Sequence, residues 1–94
     1  MRELVVTARF ERSYRRLVAK SPSTNERFRE TLRRMSENLE DPRLKTHRLS
    51  GQLTGFYACS VAFDCRIVFK KEKCSRNDGE VLLLVNIGSH EEVY

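Results

Sequence analysis

Apolar residues recur along this chain with two different periods, and the switch between them falls near residue 46. Phe10, Tyr14, Leu17 and Val18 stand at i, i+4, i+7 and i+8, one face of an amphipathic helix. Phe28, Leu32, Met35 and Leu39 follow at i, i+4, i+7 and i+11 and predict a second helix of about four turns. Pro22 disfavours helix at the residue before it and separates the two, which read as a helical hairpin. Ser23 and Glu26 have capping-box spacing for the second helix, and Pro42 closes it. Past residue 46 the period is two. In "GFYACSVA", Tyr57, Cys59 and Val61 fall on one strand face and Phe56, Ala58 and Ser60 on the other. In "DCRIVFKK", Cys65, Ile67 and Phe69 oppose Asp64, Arg66 and Val68.

A β-branched run, Val5, Val6 and Thr7, adds a short strand ahead of the helices. "VLLLVNIG" is apolar almost throughout and predicts a central strand covered on both faces. Between the last two strands, Asp78-Gly79 offers the positive φ that a hairpin turn needs. The element order is β-α-α-β-β-β in a single domain spanning residues 1–94. It predicts an α+β fold, with two N-terminal helices packed on one face of a twisted antiparallel sheet. The other face stays free, and function is expected on it or along its rim.

Charge divides along nearly the same boundary. The chain is +5 overall; residues 1–50 hold 13 Lys and Arg against 7 Asp and Glu, whereas residues 51–94 hold 5 against 6. A basic half suits a polyanion or an acidic protein partner, with Arg9, Arg12, Arg16, Arg33, Arg34, Lys45 and Arg48 as candidate contacts. The three cysteines, Cys59, Cys65 and Cys74, are an odd number without C-x-x-C spacing. That argues against a disulfide framework or a zinc site and for the reducing cytoplasm. Cys59 and Cys65 lie in strand-like runs, where cysteine acts as a small hydrophobe. No stretch reads as a signal peptide or a membrane span, so no membrane partner is expected.

Of the two histidines, His47 precedes the hairpin and His90 follows the last strand. A meander draws strand ends together, so His47, Asp64, Arg66 and His90 are expected to converge at one rim. Ser60 and Phe56 share the open face. These residue types fit cleavage of RNA through its own 2′-hydroxyl. That reaction needs a base for the attacking oxygen, an acid for the departing 5′-oxygen and a cation for the phosphate oxygens. Histidine titrates in the right range for the first two tasks, each typically contributing about 10²–10⁴-fold. Arginine binds phosphate through two nitrogens at once. No cluster of metal ligands is apparent, and neither a metal nor another cofactor is expected. Serine hydrolase chemistry lacks its G-x-S-x-G motif.

The stretch "LKTHRLSGQLTGFYACSVAFDCRIVFKK" and the ending "LLVNIGSHEEVY" resemble the RelE/ParE superfamily of bacterial toxins, and within it the YafQ-type branch of RelE-like toxins. The resemblance implies an mRNA interferase: a ribosome-dependent endoribonuclease that cuts translated mRNA at the A site. It works without metal and leaves a 2′,3′-cyclic phosphate and a 5′-hydroxyl. Catalytic roles are implied for His47, Asp64 and His90. We assign His47 or Asp64 as general base, His90 as general acid and, from the chemistry, Arg66 as phosphate clamp. Lys45, Arg48, Ser60, Phe56 and Tyr94 are the candidate RNA contacts. Two positions depart from the branch's pattern: Ser60 stands where it has a histidine, and Cys65 where it has a tryptophan. Implied partners are a cognate antitoxin in a hetero-oligomer, the ribosome and mRNA. The same fold would serve a ParE-like toxin that binds DNA gyrase and cuts nothing, or a degenerate toxin kept as an antitoxin-binding regulator. A gyrase binder needs no proton-transfer groups, so the His47/Asp64/His90 set favours the nuclease.

Overall fold

Thr7 ties the first strand, the first helix and the last strand together. Its hydroxyl accepts from Phe10 N–H at 3.2 Å, capping the helix, and donates to the Leu84 carbonyl at 2.8 Å. Residues 2–73 and 79–94 are described by the computed structural model; Cys74 and Asp78, the first residue of the expected Asp78-Gly79 turn, fall outside that range. Strand β1 (Glu3–Val6) leads into helix α1 (Ala8–Lys20), and α2 (Thr24–Glu37) follows. Strands β2 (His47–Arg48), β3 (Tyr57–Ala62), β4 (Cys65–Lys73) and β5 (Glu80–Gly88) come next, and a one-turn helix α3 (His90–Val93) ends the chain.

The five strands form one sheet in the order β1-β5-β4-β3-β2. β2 to β5 are antiparallel, but β1 lies parallel to β5, with Val5 opposite Leu83, so the sheet is mixed. The reason is the apolar run in β5. A core strand must have the backbone N–H and C=O groups of both edges paired, and β4 pairs only one of them. Chain reversal through α1 and α2 delivers β1 to the other edge in the parallel sense.

The helix faces read from the sequence meet the sheet as expected. Phe10, Met35, Ile67, Phe69, Leu82 and Leu84 are buried in one cluster with Phe28, Leu39 and Leu44. Phe10, Tyr14 and Phe28 pack ring on ring, with Tyr14 and Phe28 centroids 4.3 Å apart. Two details differ from expectation. Ser23 has helical dihedrals and makes no side-chain cap bond. The Ser21 and Pro22 carbonyls accept from Thr24 and Asn25 N–H instead, so backbone bonds start that helix. The capping box occurs at α3, where Ser89 and Glu92 bond each other's backbone N–H. The sheet face away from α1 and α2 is also less bare than expected. Ala58 and Val68 on it are buried, and α3 packs against β4 and β5 with Val93 buried.

Thr7→Ala removes the cap and one buried bond, and is expected to lower stability by about 1–2 kcal/mol. Thr7→Ser should recover most of the loss. Urea denaturation of the three proteins measures this, and equal midpoints would contradict it.

Candidate functional site

A two-residue turn, Phe63-Asp64, joins β3 to β4, and Arg66 holds it closed. Its Nη1 donates to the carbonyls of Ala62 at 3.0 Å, Phe63 at 3.2 Å and Cys65 at 3.3 Å, and reaches the Ser60 hydroxyl at 3.4 Å. Arg66 Nε and Nη2 have no partner among the described residues, which leaves one edge of the guanidinium free for two parallel bonds to an anion. Asp64 lies in the turn itself, just ahead of the strand on which it was expected.

Across the sheet, Ser60 pairs with Arg66 and Arg66 with Gly88, two residues before His90. α3 therefore starts beside the turn. Asp64 Oδ1 accepts from His90 N–H at 3.4 Å, and the His90 ring meets the Tyr94 ring edge-on at 4.5 Å. Burial raises the pKa of the Tyr94 hydroxyl, and the nearby Arg66 charge opposes that shift. Ser60, Asp64, Arg66, His90 and Tyr94 thus share one corner.

His47 is not at that corner. It stands on β2 opposite Ala58, and β3 and β4 separate it from β5. Three inter-strand spacings of about 4.8 Å put the two backbones roughly 14 Å apart. By register His47 and Ala58 share the sheet face of Ser60 and Arg66. His47 Nδ1 lies 2.9 Å from the Lys45 carbonyl, so Nδ1 carries a proton there and Nε2 is the free nitrogen. Lys45, His47, Arg48, Tyr57 and Lys71 line a cavity of about 530 Å³ that includes none of the corner residues. Phe56 is half-buried ahead of β3, on the His47 side of the sheet.

Among the basic candidates, Arg33 and Arg34 are held by Glu30, and Arg33 also by Glu37, so both are taken up within α2. Arg9, Arg12 and Arg16 line a second cavity, of about 490 Å³, between α1 and the end of β5. Sequence reasoning passed over Phe63. It is 97% exposed, beside Asp64, and a large apolar residue in a two-residue turn was the available signal. Cys65 points into the core. Burial raises its thiol to about 11 and that of Cys59, whose sulfur lies 3.7 Å from that of Met35, to about 12. No group of three or more His, Cys, Asp or Glu among the described residues could hold a metal ion. Nor is any described helix long and apolar enough to cross a membrane.

This architecture is that of the small RelE/YoeB/YafQ-type toxins. A mutant YafQ from E. coli superposes with a TM-score of 0.77 at 16% identity over 100% of this chain and 99% of its own. The YoeB/ParE toxin from Agrobacterium tumefaciens gives 0.75 at 16% over 94% and 98%. A copper-bound mutant toxin from Helicobacter pylori gives 0.67 at 25% identity over 100% of both chains. No curated protein sequence matches. Residues 2–94 match the family described as bacterial toxin of type II toxin–antitoxin system, YafQ. The chain belongs to that family.

The buried thiols yield a pH test. The unfolded chain ionises them near the ordinary value of 9.0, whereas the folded chain keeps them protonated up to about 11 and about 12. Their contribution to stability is complete below the unfolded value and lost as pH rises towards the folded ones. Urea midpoints should fall between about pH 8 and about pH 10.5, less steeply in a Cys59→Ala/Cys65→Ala variant. Identical slopes would contradict the assignment.

Proposed function

We propose that this toxin is a ribosome-dependent endoribonuclease that cuts translated mRNA in the cytoplasm. The observation that carries the reading is the corner itself: a carboxylate within 3.4 Å of the His90 backbone N–H, beside an arginine with one free donor edge. The 2′-oxygen of the RNA attacks phosphorus and gives its proton to Asp64. The bond from phosphorus to the 5′-oxygen breaks as His90 protonates that oxygen. A 2′,3′-cyclic phosphate and a 5′-hydroxyl result, so protons and bonds balance. Arg66 Nε and Nη2 neutralise charge on the non-bridging oxygens. Asp64 is the base because it shares the corner with His90; His47, three strand spacings from β5, is instead an RNA contact reached across the face of β3 and β4. Ser60 bonds Arg66 and the Ala62 carbonyl, so its part is to position the guanidinium.

Phe63 and Tyr94 supply aromatic surface at the corner, and a base next to the cut phosphate stacks on Phe63. Lys45 and Arg48 extend the contact along β2. In E. coli, YafQ forms a complex with DinJ, and the E. coli chain in it matches this fold with a TM-score of 0.74 at 17% identity. By that likeness the present toxin is held in a hetero-oligomer by its own antitoxin. A gyrase-binding toxin would share the fold. It would have no use for a histidine, a carboxylate and a free guanidinium edge at one corner.

In a translation extract with cleavage mapped by primer extension, His90→Ala and Asp64→Ala are each expected to slow A-site cutting about 100-fold or more. Phe63→Ala is expected to slow it about 10-fold, with Phe63→Trp restoring it. Absence of cuts by the wild type, or equal cutting by the His90 and Asp64 variants, would overturn the mechanism.

A further inference from the structure

Between α1 and the end of β5 lies the 490 Å³ cavity that the mechanism leaves unused. Arg9, Arg12, Arg16 and Lys20 reach it from one side of α1, spaced three, four and four residues apart. None of the four side chains has an ion pair or hydrogen bond to another described residue. Several cations elsewhere are paired, Arg2 with Glu80, Arg15 with Glu11, Arg33 with Glu30 and Glu37, and Arg43 with Asp41, but nowhere else do four unpaired cations line one cavity among the described residues. Glu11, the one acid of α1, is taken by Arg15, so nothing on the helix balances the four. Like charges at i, i+4 repel, and four of them around one hollow leave a strong positive field with no counter-charge but Glu92.

The floor is a built donor. Asn86 is only 7% exposed. Its Oδ1 accepts from the Ser13 hydroxyl at 2.7 Å and from Ile87 N–H at 3.0 Å, which fixes how the amide is turned. Its Nδ2 has no partner among the described residues, and Asn86 lines the cavity, so that donor is available to a ligand. Glu92 closes one end, with its carboxylate held by Ser89 N–H and hydroxyl contacts and its charge favoured by Lys20 and Arg16.

We propose that this cavity is a phosphate-binding subsite, with the arginines and Lys20 as the cationic wall and Asn86 Nδ2 as the neutral donor at its base. Four cations exceed what a single carboxylate would balance, whereas phosphate offers several acceptor oxygens to the arginine forks. The phosphate comes either from a single-stranded RNA or from a free nucleotide. In the first case the assignment rests on the nuclease reading. Gly88 in the cavity wall pairs with Arg66, and Glu92 is on α3 with His90, so an RNA cut at the corner passes the cavity at the end of β5. Glu92 is then a resident competitor for the same field.

The test uses the full chain and measures binding of inorganic phosphate, a nucleoside 3′-monophosphate, a 2′-O-methyl RNA hexamer that cannot be cleaved, and hexaglutamate. Arg12→Gln/Arg16→Gln is expected to weaken binding of the phosphate probes about 10-fold or more, and Asn86→Ala several-fold. Glu92→Gln keeps the capping acceptor and removes the charge, so it should tighten them about 3-fold. That opposite sign separates a charge effect from damage to the fold. Tight binding of the hexamer alone identifies RNA as the source; comparable binding of the monophosphate identifies free nucleotide. Phosphate binding unchanged in the arginine variant, or hexaglutamate binding tighter than the hexamer, would overturn the assignment. If the wild type cuts no mRNA and these shifts still appear, the nuclease reading fails and the subsite stands; cutting without the shifts gives the reverse.

Discussion

Strand β5 is the element on which everything else depends. Leu82, Leu84 and Ile87 bury one of its faces in the core with α1 packed along it, and β1 and β4 pair the backbone of its two edges. That one requirement brings the two ends of the chain together, since β1 must return to the edge that β4 leaves open. It also decides where the candidate site residues fall. The strand ends at Gly88, opposite Arg66, and the next residues form α3 against the sheet. His90 therefore meets the β3–β4 turn because of where β5 stops. Breaking the packing of β5 would separate the carboxylate from the histidine without touching either.

Arg66 plays a double part at this corner. One nitrogen is consumed in holding three carbonyls of its own turn, and the other edge of the same planar group remains available. Lysine in its place would provide a point charge and no such division between positioning and binding. Asp64 is likewise held through backbone, by the N–H of His90, so its position depends on α3 staying docked. The capping box of Ser89 and Glu92 serves that docking, and Glu92 at the same time sets the charge at the end of the neighbouring cavity.

Periodicity made the fold legible because two helices and three strands each bury one regular face. Phe10, Phe28, Met35, Ile67 and Phe69 are all buried as their spacing predicts. β2 was invisible because two residues have no period, and the parallel pairing of β1 depends on a partner 78 positions away. The apparent capping box at Ser23 illustrates a further limit: its side chain is available, but backbone carbonyls reach the same donors first. At the candidate site, residue types singled out Asp64, Arg66 and His90 because each carries chemistry, and the fold places them at one corner. They could not reveal that His47 stands three strands from β5, since distance across a sheet depends on strand order. Phe63 was passed over because an aromatic ordinarily signals core, and only its exposure gives it another meaning.

The central claim is that one RNA lies across the sheet face from the corner to β2, and the chain's two histidines make it directly measurable. Nitrogen-detected NMR of the imidazoles yields one spin system for each. Titration with a non-cleavable 2′-O-methyl RNA is expected to move both along a single saturation curve, with the larger change at His90. An RNA that binds and leaves both rings unmoved would contradict the claim.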